Sequence, residues 1–69
     1  PWMDEELHSL QRRLIELRME HADLDAMIDR LAEQNPLDEL ALQRLKKRRL
    51  ALRDMLARLE AEAAPDEPA

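Results

Sequence analysis

Pro36 is the residue that most restricts what this chain can fold into. It is the only proline between Trp2 and Ala64, and it interrupts otherwise continuous helical patterning. Inside a helix a proline removes a backbone donor and clashes with the preceding turn, at a cost of about 3 kcal/mol. It also pushes the residue before it, here Asn35, out of the α region. The stretch Asn35-Pro36-Leu37-Asp38 can open a new helix. Asn35 serves as N-cap, Pro36 takes a first position that needs no amide hydrogen, and Asp38 adds negative charge to the first turn. The expected layout is a first helix over about 4–33, a turn at about 34–35 and a second helix over about 36–62.

The apolar residues on either side of the break repeat at coiled-coil spacing. In the first segment they are Met3, Leu7, Leu10, Leu14, Leu17, Leu24, Ile28 and Leu31, with His21 in sequence between Leu17 and Leu24. Steps of four and three alternate without a miss, as a helix-on-helix seam requires. The second segment follows the same rule through Leu42, Leu45, Arg49, Leu52, Leu56, Leu59 and Ala63, with Met55 widening the stripe. Each seam has one polar interruption: His21 in the first and Arg49 in the second.

Two such stripes could be buried in a hairpin, in one long helix paired with another chain, or in two helices pointing apart. The charges favour the hairpin. The second half of the first helix is mainly acidic (Glu16, Glu20, Asp23, Asp25, Asp29, Glu33), and the first half of the second is basic (Arg44, Lys46, Lys47, Arg48, Arg49, Arg53). Each block sits at the wrong end of its own helix dipole. Folding back at Asn35 sets the blocks side by side, and helical hairpins commonly use loops of about 2–5 residues. The expected fold is all-α, an antiparallel, coiled-coil-like two-helix hairpin. Its apolar seam is small against the entropy of ordering both helices. Self-association into a dimer or larger helical bundle is therefore expected, through a weaker apolar set of Ile15, Met19, Ala22, Ala26, Leu37, Leu40 and Leu50.

Composition narrows the function. Sixty-nine residues make one small domain, here a hairpin over 1–64 followed by a disordered acidic tail at 65–69. With no cysteine there is no disulfide, thiolate nucleophile or Cys-based metal site. No apolar run approaches the ~20 residues of a membrane span, and no signal-peptide pattern opens the chain, so a cytoplasmic protein is expected. The single hydroxyl residue, Ser9, neighbours His8, but adjacent residues on a helix do not face each other. A two-helix hairpin also has no cleft in which to perturb a carboxylate. No enzyme activity, cofactor or small-molecule substrate is expected. Trp2 is expected to pack near the open end of the hairpin.

Two groups of residues could carry function. A hairpin turned at Asn35 brings His21 roughly level with Arg49. Such a layer can set the register of the seam, or act as a pH-sensitive point if a protonated His21 is repelled by Arg49. His21 and Asp25, one turn apart, could share a metal, but two ligands make a poor site. The second group is Arg44, Lys46, Lys47, Arg48 and Arg53, which could contact a nucleic acid or another polyanion. Against this, consecutive side chains fan out at about 100°, the net charge is −5, and no aromatic residue stands among them to stack a base. A solvated face pairing with the acids of the first helix is the simpler reading.

The segment Glu20-His21-Ala22-Asp23-Leu24-Asp25-Ala26-Met27-Ile28-Asp29-Arg30-Leu31, a short turn, and Leu45-Lys46-Lys47-Arg48-Arg49-Leu50-Ala51-Leu52-Arg53-Asp54 resembles the YdcH-like family of short bacterial proteins of unknown function. The likeness covers about His21 to Leu59. It implies a small helical hairpin in the bacterial cytoplasm. It carries over His21, Asp25, Lys46, Lys47, Arg49 and Asp54 as signature positions, and supplies no activity. Asp54 is also spaced to pair with Arg58 one turn on. The expected function is non-catalytic protein–protein interaction or self-assembly, with polyanion binding as the alternative.

Overall fold

The computed structural model describes residues 2–63, with side chains from His8 onward. The packing of Trp2 and the tail at 65–69 therefore lie outside the described residues and side chains. Two helices account for most of the chain: α1 (Trp2–Ala32) and α2 (Glu39–Ala63). Both are rich in leucine, alanine, arginine and glutamate, and neither contains a glycine to lower helix propensity. They pack along each other as a hairpin. The antiparallel sense follows from the ion pairs between them: Asp25 meets Arg49, while Arg18, earlier in α1, meets Glu60, later in α2.

The connection differs from the expected one. Amides of Glu33 and Gln34 donate to the carbonyls of Arg30 and Leu31 at 3.3 and 3.2 Å. These i→i+3 bonds tighten the last turn of α1 and occupy two carbonyls that would otherwise be orphaned. The second helix starts at Glu39 rather than about 36, and its cap is Asp38 rather than Asn35. Asp38 Oδ1 accepts the Ala41 amide at 3.0 Å and its carbonyl accepts the Leu42 amide at 3.0 Å. A carboxylate at the N-cap adds charge–dipole attraction that an amide cannot, so Asp38 outcompetes Asn35. Pro36 then sits in the connection, where its lack of an amide hydrogen costs nothing.

Packing follows the two stripes closely. Leu14, Leu17, Leu24, Ile28, Leu52 and Leu56 are buried, and Leu17 is fully so at 0% exposure. Leu45, Leu59 and Ala63 pack against the cluster of Leu14, Leu17, Leu24, Leu52 and Leu56 while remaining partly open. From His8 to Ala63, the residues covered at least in part are the seam positions plus Asp25 and Ala41. Met55 does not widen the core; it is 43% exposed on the flank. The Cα envelope measures 54 × 27 × 14 Å. Its thinnest dimension is that of one helical layer, so each helix is covered along one stripe only.

Candidate functional site

The two seam interruptions do meet, through a third residue. His21 is one turn before Asp25 on α1, and its Nδ1 lies 3.4 Å from Asp25 Oδ2. From α2, Arg49 Nη1 donates to Asp25 Oδ1 at 2.8 Å. The carboxylate thus stands between imidazole and guanidinium, and both face it before they face each other. His21 and Arg49 side chains are 20% and 28% exposed and Asp25 is 46% exposed. The Arg49–Asp25 bond is charge-assisted, short and joins residues 24 apart, so it ties the helices at one height. His21 Nε2 is buried without a partner.

Sequence reasoning placed His21 and Arg49 in one region but did not pair Arg49 with Asp25. The signal was present: a residue four after a seam histidine borders the same seam, and Asp25 is the only acid so placed in α1. No group of three or more residues suited to a metal occurs among the described residues.

The basic run fans out as its spacing requires. Arg49 turns inward, while Arg44, Lys46, Lys47, Arg48 and Arg53 are exposed. Among the described residues none of these five makes an ion pair, so the acid and base blocks lie alongside each other with only Asp25 and Arg49 joined. Arg18 and Glu60 add a looser link between the helices at 3.8 Å. Asp54 and Arg58 pair at 3.0 Å along α2, and Arg13 and Glu16 at 3.4 Å along α1.

The hairpin has two distinct sides. On one, Arg18, His21, Arg53, Leu56, Ala57 and Glu60 line a shallow depression. On the other, two depressions run together: one is bounded by Asp23, Met27 and Leu45, the next by Arg13, Ala51 and Met55, and both share Glu20 and Arg48. Elsewhere Ile15, Met19 and Leu50 stand 56%, 63% and 66% exposed, and Leu37 and Leu40 stand open at the turn. No helix among the described residues is long and apolar enough to cross a membrane.

No curated protein and no solved structure matches the chain. Residues 14–60 match the model of a family described as a protein of unknown function (DUF465), to which YdcH-like proteins belong. The match takes in most of both helices, the turn and the His21–Asp25–Arg49 layer, and this helical hairpin belongs to that family.

Proposed function

We propose that the hairpin is a non-catalytic, self-associating helical interaction module. The observation that carries this reading is the single-layer core: among the described residues the buried stripe covers one side of each helix, and seven large apolar side chains stay open to solvent. Scattered exposed leucines are ordinary on a protein surface. Here they accompany a core of six buried side chains among the described residues, which is small for a free-standing domain. Association of hairpins into a bundle would cover part of this surface. Sedimentation of the full chain across the micromolar range is expected to show a species heavier than one chain, with a melting temperature that rises with concentration. A monomer whose melting temperature ignores concentration would refute the reading.

A second reading, polyanion binding, draws on the absence of intrachain partners for Arg44, Lys46, Lys47, Arg48 and Arg53 among the described residues. Fluorescence anisotropy with duplex DNA tests it. It requires binding that weakens steeply with salt and is lost in Lys46→Glu/Lys47→Glu with helicity unchanged.

A further inference from the structure

We infer that the side of the hairpin bearing Glu20 and Arg48 is where a second copy of this chain docks, its two-fold axis parallel to the helices. The inference rests on the self-association reading and specifies its face and geometry.

The two sides of the hairpin treat charge differently. Around His21, Arg49 and Arg18 are met within the chain by Asp25 and Glu60, while Arg53, which lines the same depression, makes no ion pair among the described residues. On the opposite side α1 presents mainly acid, apart from Arg13, which pairs with Glu16, and α2 presents base. Glu20 and Asp23 line the continuous groove from α1, and Arg48 lines it from α2. Arg44, one turn before Arg48, extends the basic row. None of these four forms an ion pair among the described residues, although Glu20 and Arg48 border the same depressions. The floor between the rows is apolar, made by core leucines and flanked by Met27 and Met55, each 43% exposed. Methionine is a side chain that adapts to whatever packs on it.

Charge selects the occupant and its direction. A two-fold axis along the helices carries α1 of one copy over α2 of the other while every residue keeps its height. Glu20, Asp23 and Arg48 border the same groove in one chain, so Glu20 and Asp23 of one copy then approach Arg48 of the other. A two-fold axis across the helices would instead stack acid row on acid row. The area is also adequate. The 25 residues of α2 at about 1.5 Å each, beside a second helix, give a face of roughly 37 by 20 Å. That is about 740 Å² per copy, close to the ~800 Å² per partner of a standard stable interface. The product is a four-helix bundle.

The test is a mixing experiment on the full chain. Glu20→Arg gives a copy with arginine at both positions, and Arg48→Glu gives one with acid at both. Each variant alone opposes like charges twice across the dyad, and its dimer is expected to weaken by at least about tenfold. An equimolar mixture restores both attractions, so native mass spectrometry is expected to find the mixed dimer where each variant alone is monomeric. Circular dichroism checks that helicity is kept; if a swap lowers it, Asp23→Lys with Arg44→Glu carries the same test. An unmodified chain that dimerises while both swaps leave the dimer intact overturns this face and leaves self-association standing. Variants that dissociate alone and fail to pair when mixed also overturn it. A chain that is monomeric throughout overturns both the face and the reading beneath it.

Discussion

The His21 side and the Glu20 side of this hairpin are built from similar residues, and only the His21 side joins them across the two helices. Around His21, Asp25 accepts a hydrogen bond from Arg49 across the helix gap at 2.8 Å, and Arg18 reaches Glu60 at 3.8 Å. Around Glu20, Arg13 pairs with Glu16 along α1, but Glu20, Asp23 and Arg48 line one groove without pairing within the chain. Charge along a seam is therefore not enough to make a cross-link; depth decides. Arg49 is a seam position, so its stem lies against the neighbouring helix and its guanidinium is delivered to Asp25. Arg48, one residue earlier, points about 100° away and is left to solvent or to a partner. A partly covered, charge-assisted bond counts for more than an exposed pair, for which ~0–1 kcal/mol is typical.

Four measurements test this contrast. The largest effect belongs to the layer beneath both sides. Leu17→Ala removes a fully buried side chain and is expected to cost about 2–5 kcal/mol, read by urea denaturation. A loss under 1 kcal/mol would mean that the helices do not pack through this stripe. Next comes the cross-link itself: Asp25→Ala and Arg49→Ala are each expected to lose about 1–3 kcal/mol. The double variant should lose clearly less than their sum, because the two act as one unit. Strict additivity would show the pair to be incidental.

Asp38→Ala should cost about 1 kcal/mol by removing the cap of α2, while Asn35→Ala should cost little. A reversed order would return the helix start to Pro36. Smallest of all, Glu20→Ala and Arg48→Ala, measured where the chain is monomeric, should change unfolding by no more than about 0.5 kcal/mol. If Arg48→Ala proved as costly as Arg49→Ala, the two sides would not differ.

Read alone, the sequence determined the architecture. Alternating four- and three-residue steps name the stripes, a proline breaks them once, and the charge blocks favour folding back. Every seam residue from Leu10 to Ala63 is buried or partly covered, because helical periodicity is a local property that needs no partner to be legible. The likeness to the YdcH-like family was readable in the same way.

The remaining features depend on competition between groups, some near in sequence and some far apart. Asp38 caps α2 in place of Asn35 because the better acceptor for the first turn is chosen once the turn closes. Met55 falls outside the core because the two stripes meet at one rotation and not at another. Asp25, rather than His21, receives Arg49, since a seam guanidinium seeks the nearest carboxylate that the register brings level with it. Periodicity assigns a residue to a face; only the height at which two helices meet assigns it a neighbour.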